Sequence, residues 1–431
     1  METKEIKSKF KKYPEYKDSG IEWLGKIPKE WEIKRLKFLA KFKKGQLPKN
    51  IISENTGSLP AYMSMDYLRN GDCKEWVTDY NCITIDEGEI LLLWDGSNAG
   101  EFILSKKGVI SSTIAIVNFN KVNKRFAWYY SKRLEIEIKK NTIGMGIPHV
   151  NGKFLNNLSF LIPSNSEQTA IANFLDEKTK KIDQVISAKE KLISLLQERK
   201  QIVIQNAVTR GLNPNVKLKD SGVEWIGMIP EHWEVKKLKY IGKSIIGLTY
   251  SPNDLCNINE GTLVLRSSNL YEGKFKYGEK ENIYVKKNIQ PKLILKENDI
   301  LICSRNGSRD LIGKCAIATK KDIGVSFGAF TTVFRSSINK YIFLILNSEI
   351  FKFLSGLFLT STINQLTIGN LNSIAVPIPP TDERYDIYVY IKKTTNKIDH
   401  SISNQRTLIT KLKEYKQTLI DSAVTGKIKI I

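Results

Sequence analysis

The sequence predicts an α+β fold: two α/β globules separated by two long, antiparallel, coiled-coil-like helices, with a pseudo-two-fold internal repeat. Three observations predict it. Residues 17–41 (KDSGIEWLGKIPKEWEIKRLKFLAK) recur as residues 219–243 (KDSGVEWIGMIPEHWEVKKLKYIGK), with 15 of 25 positions identical at a constant offset of 202. Residues 165–210 contain no Gly or Pro and carry apolar residues near heptad spacing. Residues 381–426 repeat that stretch at an offset of 216, with KID at 181–183 and 397–399 and AVT at 207–209 and 423–425. A duplication of one unit explains all three. The chain then divides into a clasp (1–41), a globule (42–163), a helix (164–211), a second clasp (212–243), a second globule (244–379) and a second helix (380–431).

In the first clasp, Pro28 follows a turn at Gly25, and WEIKRLKFLAK opens an ordered segment. Trp23 and Trp31 are expected to pack together, since tryptophan is chiefly a packing residue. The first globule reads as mixed α/β or mainly β. CITIDEGEILLLW (82–94) alternates and then runs apolar, as a strand pair does, and WDGSNAG (94–100) is a polar turn. GVISSTIAIVNF (108–119) is a further β-rich stretch, and RFAWYYSKRLEIEIKK (125–140) has helical spacing. The long helix has Ser164 or Ser166 as cap, Glu167 to complete a capping box, and Gly211 then Pro214 to end it. Its apolar stripe reads as Ile182, Val185 or Ile186, Leu192, Leu196 and Val203, mapping onto Ile398, Ile402, Leu408, Leu412 and Leu419. At 1.5 Å per residue such a helix is roughly 65 Å long and cannot bury its stripe alone. The two are therefore expected to pack on each other. In the second globule ENDILICSRNGSRDLIGK (297–314) answers EGEILLLWDGSNAG: a strand, then a polar turn containing Gly.

The chain has 67 Lys plus Arg against 45 Asp plus Glu, a formal charge of +22. Every segment is positive, so the charge is not a basic tail on a neutral body. A polyanionic partner is implied, nucleic acid first and an anionic membrane second. With 41% hydrophobic residues, real cores are available. No apolar run approaches the ~18 residues of a membrane span, and METKEIKSKFKK lacks the apolar core of a secretory signal. Five cysteines without CxxC spacing and three histidines make a zinc site improbable and suit a reduced, cytoplasmic protein.

Several stretches carry a resemblance over nearly the whole chain. They are the two clasps KDSGIEWLGKIPKEWE and KDSGVEWIGMIPEHWE, the helix starts LIPSNSEQTAIANFLDEKTKKID and PIPPTDERYDIYVYIKKTTNKID, and the helix ends AVTRG and AVTGK. Together they resemble the specificity (S) subunit of type I restriction–modification systems. The resemblance implies two target-recognition domains, each reading half of a bipartite, asymmetric site on double-stranded DNA. It implies that the long helices act as spacer and as docking platform for two DNA methyltransferase subunits, joined by two motor/endonuclease subunits. No cofactor is expected on this chain, with S-adenosylmethionine, ATP and Mg on the partners only. One departure is Glu383-Arg384, where the first helix has the family's Glu167-Gln168.

The residues themselves argue against catalysis. There is no Asn/Asp-Pro-Pro-aromatic motif, no Gly-rich cofactor loop after a strand and no P-loop. The acidic-x-Lys triplets DEK (176–178) and ERK (198–200) lie on the predicted helix as solvated surface, and His149, His232 and His400 are isolated. DNA-reading candidates are polar groups on projecting turns, because Arg and Lys suit guanine edges and Asn and Gln suit adenine. In the first globule these are Arg69, Asp95, Ser97, Asn98 and His149, and in the second Arg266, Asn269, Arg305, Asn306, Arg309 and Lys314. Each could equally be turn chemistry. The alternative function is a stand-alone sequence-specific DNA-binding or scaffold protein without restriction partners. A self-contained nuclease is a third.

Overall fold

The computed structural model describes residues 10–54, 57–79, 81–357 and 364–431, so the first nine residues of the first clasp lie outside them. Two compact units form: Met1–Lys189 with Arg406–Ile431, and Glu190–Gln405. Each unit takes one clasp, one globule, the start of one long helix and the end of the other.

In the first unit the main strands are β1 (Tyr16–Asp18), β2 (Lys26–Pro28), β3 (Glu32–Arg35), β4 (Ala40–Lys44), β5 (Ile90–Leu93), β6 (Phe102–Leu104), β7 (Ile114–Phe119) and β8 (Ser159–Ile162). β1 and β2 form a hairpin. β3 runs antiparallel to β8, with Glu32 opposite Ile162, so the clasp holds the last strand of the globule. The globule is built on an antiparallel sheet of order β4-β7-β5-β6. All four side chains of β5 (ILLL) are buried, which is why this stretch is a continuous apolar run. Helices α1 (Met65–Asn70), α2 (Lys124–Lys140) and α3 (Gly152–Asn157) complete it. Asn123 caps α2 by accepting from the backbone N–H of Arg125 (3.0 Å) and Phe126 (3.2 Å). Tyr130 of α2 stacks on Phe160 of β8 with ring centroids 4.0 Å apart.

The long helix α4 (Asn165–Arg210) begins in this unit and ends in the second. The second unit repeats the first. Its strands are β9 (Leu218–Asp220), β10 (Met228–Pro230), β11 (Glu234–Lys237), β12 (Lys243–Ile246), β13 (Ile300–Cys303), β14 (Cys315–Ile317), β15 (Thr331–Arg335) and β16 (Ala375–Ile378). β9 and β10 form the hairpin, β11 pairs with β16, and β12-β15-β13-β14 is the four-stranded sheet. A second four-stranded sheet of very short strands, between Leu255 and Phe327, has its counterpart in the first globule, where Ile51–Ile52 pairs with Trp76–Val77 and isolated bridges join Ala61 to Trp76 and Tyr62 to Val109. Its helices are α5 (Asn339–Leu346), α6 (Glu349–Leu357), α7 (Ile368–Ser373) and α8 (Thr381–Val424). Burial pushes the thiols of Cys303 up to about 11 and Cys315 up to about 12, so both serve as small core residues.

The two tryptophans of the first clasp part company rather than cluster. Trp31 is buried and donates from Nε1 to Glu167 Oε2 at 2.9 Å, at the start of α4. Trp233 does the same to Glu383 Oε2 at 2.9 Å, at the start of α8. Trp23 instead covers the guanidinium of Arg133 at 4.6 Å. Ser164 Oγ accepts from the Glu167 N–H (3.3 Å) as a cap should, but the Glu167 carboxylate is occupied by Trp31 and by the Tyr13 hydroxyl (2.5 Å). The Gln168/Arg384 departure keeps one shared bond. Gln168 Nε2 donates to the Pro163 carbonyl at 2.9 Å, and Arg384 Nη1 to that of Pro379 at 3.0 Å. Gln168 also accepts from Asn123 N (2.8 Å), which an arginine cannot do.

The apolar seam of the long helices differs from the predicted stripe by one residue near its middle. Positions 182, 186, 189, 193, 196, 200 and 203 of α4, and 398, 402, 405, 409, 412, 416 and 419 of α8, are buried or half-buried. Ile182, Ile186, Leu196, Val203, Ile398, Ile402, Leu412 and Leu419 sit on it, but Leu192 and Leu408 do not, at 41% and 42% exposed. Ile193 and Ile409 hold those places, since one residue turns the helix by about 100°. Val185 is likewise exposed. Charged clamps flank the seam. In the first unit Lys416 Nζ binds Asp183 at 2.8 and 2.6 Å. In the second Lys200 Nζ binds Asp399 at 2.7 and 2.8 Å. Because the four side chains are 25–56% exposed, Lys416→Ala is expected to lower stability by no more than about 1 kcal/mol. A larger drop in the urea midpoint would show a role beyond this pair.

Candidate nucleic-acid interface

In the first globule the chain leaves β5 at Trp94 and turns a corner. Trp94 N donates to the Thr113 carbonyl (2.8 Å), Asp95 N to the same oxygen (3.3 Å), Gly96 N to Pro148 O (2.9 Å), and Val150 N to Trp94 O (2.9 Å). These bonds bring His149, more than fifty residues away in sequence, against Asp95. His149 Nδ1 lies 2.6 Å from Asp95 Oδ1, and Lys44 Nζ lies 2.8 Å from Asp95 Oδ2. Partial burial raises the Asp95 carboxyl, but the hydrogen bonds from Lys44 and His149 outweigh it and hold the group below the usual carboxylate range. A carboxylate only accepts, so the imidazole proton sits on Nδ1 and Nε2 keeps its lone pair when the ring is neutral. Lys44 also lies over the Trp94 ring at 5.6 Å.

The second globule turns the same corner on the same bonds. Ser304 N and Arg305 N donate to Phe330 O (3.1 and 3.0 Å), Asn306 N to Asn364 O (3.4 Å), and Leu366 N to Ser304 O (2.8 Å). Thus Arg305 occupies the place of Asp95, Gln365 that of His149 and Phe330 that of Thr113. The isolated bridges Asp95–His149 and Arg305–Gln365 mark the equivalence. Arg305 is exposed, with its guanidinium 5.3 Å from the centre of the Phe330 ring. The backbone is common to the two corners and the side-chain chemistry is not.

A family model described as type I restriction modification DNA specificity domain matches twice, at residues 28–193 and 230–411. The chain belongs to this family. The two matches follow the internal repeat, so the specificity domain is present in two copies. The type I restriction enzyme MjaVIII specificity subunit of Methanocaldococcus jannaschii is 32% identical over 419 residues, covering 94% of each chain. The EcoKI specificity subunit of Escherichia coli is 25% identical over 209 residues, 47% of this chain and 44% of that one. Among solved structures, a chain from work on complex assembly and conformational transition of the type I R-M system superposes with a TM-score of 0.69. It has 14% identity and covers 93% of this chain and 99% of that one, which speaks to the fold.

Within this specificity subunit the other sequence candidates scatter. Asn269 is wholly buried; its Oδ1 accepts from Arg266 N (2.9 Å) and its Nδ2 donates to Lys276 O (3.1 Å). It holds a turn, with its side chain away from solvent. Arg266 is half-buried and donates to Glu281 O at 3.3 Å. Arg69 ends α1 in an ion pair with Glu101 (2.8 Å). Asn306 donates to Ser267 Oγ (2.9 Å), and Arg309 to Gly356 O (3.2 Å). Ser97 is exposed on the first corner, with Asn98 half-buried beside it. Lys314 is half-buried and follows the second corner. Sequence reasoning missed Lys44, Phe330 and Gln365, which reach the corners from other strands and loops. Their signal was the repeat itself, carried on to the residues facing the aligned turn. Among the described residues no group of three or more His, Cys, Asp or Glu could hold a metal ion, and no helix is long and apolar enough to cross a membrane.

Proposed function

We propose that this chain reads double-stranded DNA for a type I restriction–modification complex, as its cytoplasmic, non-catalytic subunit. Each globule, residues 42–163 and 244–379, takes one half of a bipartite, asymmetric site. The long helices serve as spacer and as docking platform for two methyltransferase subunits, with two motor/endonuclease subunits joining them. S-adenosylmethionine, ATP and Mg belong to those partners. The observation that carries this reading is the pair of corners. Two copies of one backbone present Asp95, His149 and Lys44 in one case and Arg305, Gln365 and Phe330 in the other. A frame kept constant while its projecting chemistry differs suits a ligand with two different halves. The charge of +22 supplies the sequence-independent attraction to phosphate.

The test is methylation. The purified chain alone is expected to transfer no methyl groups and cut no DNA. With a partner methyltransferase it should direct methylation to a two-part sequence, mapped by methylome sequencing. Exchanging residues 42–163 for the matching globule of a relative should alter one half-site only. A change in both halves would overturn the modular reading, and methylation by the homogeneous chain would overturn the non-catalytic one.

A further inference from the structure

The duplicated frame holds one position fixed in backbone and free in chemistry. Four backbone hydrogen bonds, matched one for one, fix the corner after β5 and the corner after β13. In the second globule the neighbouring polar groups are engaged in holding the turn. Asn306 is bound to Ser267, Arg309 to Gly356 and Arg266 to Glu281. Arg305 is different. Among the described residues its guanidinium has no carboxylate partner; it rests on the exposed ring of Phe330, at 5.3 Å. Stacking on an aromatic face orients the planar fork while leaving its N–H groups outward. The half-buried Gln365 is bridged to it through the backbone, and its amide makes no hydrogen bond among the described residues. In the first globule the corresponding place is an acid already neutralised by Lys44, and the group it holds outward is the His149 ring.

We propose that this corner is the specificity-determining position of each globule. Arg305 reads a guanine in one half-site, and His149, held by Asp95, accepts from the exocyclic amine of an adenine or cytosine in the other. This rests on the DNA-reading function above and names the residues that carry it. The chemistry differs in sign. A guanidinium fork donates twice to guanine O6 and N7, the two acceptors of its major-groove edge. A neutral imidazole with its proton fixed on Nδ1 offers a single acceptor, which suits adenine N6 or cytosine N4 and rejects the carbonyl edge of guanine or thymine. One frame thereby reads an acceptor edge on one side and a donor edge on the other, which makes the combined site asymmetric.

The experiment uses the full chain assembled with its methyltransferase partner. Methylated sites are mapped for the wild type, Arg305→Ala, Arg305→Lys and His149→Ala. Thermal melting and co-purification with the partner confirm that each variant is folded and assembled. Arg305→Ala is expected to lose a preference of about tenfold or more for one G·C pair, in one half-site, with the other half-site unchanged. Arg305→Lys should retain part of it. His149→Ala should relax one position in the opposite half-site, and the base lost there identifies adenine or cytosine. Should a variant assemble yet methylate too little to map, wild-type complex is tested on the mapped site with 7-deazaguanine at each guanine in turn. Weakened binding at one guanine of the second globule's half-site supports the assignment, and no dependence on any guanine N7 there overturns it. Unchanged base preferences in Arg305→Ala, or a uniform loss of affinity with a shallower salt dependence, would make Arg305 a phosphate contact and end the proposal. If the wild-type complex itself methylates without a two-part sequence, it is the DNA-reading function that fails.

Discussion

Arg133→Ala is expected to lower the stability of the first unit by about 3 kcal/mol or more. Arg133 is only 9% exposed and lies in α2. Its Nε meets Asp421 of α8 at 2.6 Å, its Nη1 meets Glu137 at 3.2 Å, and its Nη2 donates to the Trp23 carbonyl at 3.3 Å. The Trp23 ring covers the guanidinium. One side chain thus ties the globule, the clasp and the end of a long helix together. Its removal leaves a buried carboxylate at Glu137, whose remaining partner Lys140 is 3.8 Å away, while Asp421 keeps Lys427 at 2.7 Å. Breaking a buried pair from one side costs more than the pair contributes, because the stranded charge stays out of water. Arg133→Lys keeps the charge but loses the fork, so it should fall between wild type and alanine. The measurement is the urea midpoint. An unshifted midpoint for the alanine variant would show that these contacts are dispensable.

Gly247→Ala, and its counterpart Gly45→Ala, are each expected to cost about 2–3 kcal/mol. Both residues follow the first strand of a four-stranded sheet, at the repeat offset of 202. A Cβ on Gly247 would lie 2.2 Å from the Gly328 carbonyl oxygen and 2.4 Å from that of Phe327. On Gly45 it would lie 2.3 Å from Ser111 O and 2.5 Å from Ile110 O. These are backbone atoms, so no rotamer change relieves the clash and the sheet edge must move. Gly356 is the contrast. It sits within α6 with nothing within 4 Å of its would-be Cβ, so Gly356→Ala should stabilise by about 0.5–1 kcal/mol. Equal effects in all three would mean that close approach is not what these glycines provide.

The legible part of this chain was what repeats. The clasps, the long helices and the strand-then-turn of each sheet could be placed by aligning the sequence with itself, and Gly211 ends α4 at the expected residue. What escaped was what depends on contact across distance. Trp23 and Trp31 look like a pair in sequence but face Arg133 and Glu167 respectively. Leu192 looks like a seam residue because it is apolar and near the right spacing, yet Ile193 beside it has the right phase. Asn269 resembles a base reader by type, and only its burial shows that its amide is committed to backbone. Asp95 and Arg305 were visible on their turns. His149 was a candidate without a partner, and Gln365, Lys44 and Phe330 were hidden because a loop or a neighbouring strand brings them in.

The clamps on the long helices carry a consequence about ancestry. Asp183 binds Lys416, and Lys200 binds Asp399. Shifted by 216 residues, Asp183 becomes Asp399 and Lys200 becomes Lys416. Each helix therefore carries both members of the pair, and each member meets the opposite member on the other helix. That is the rule of an isologous interface, in which residue i of one subunit meets j of its twin while j meets i. A single-copy ancestor with one such helix would already have been complementary to itself. The present chain has the pattern of a fused homodimer, in which each half carries its own side chains at the equivalent corner.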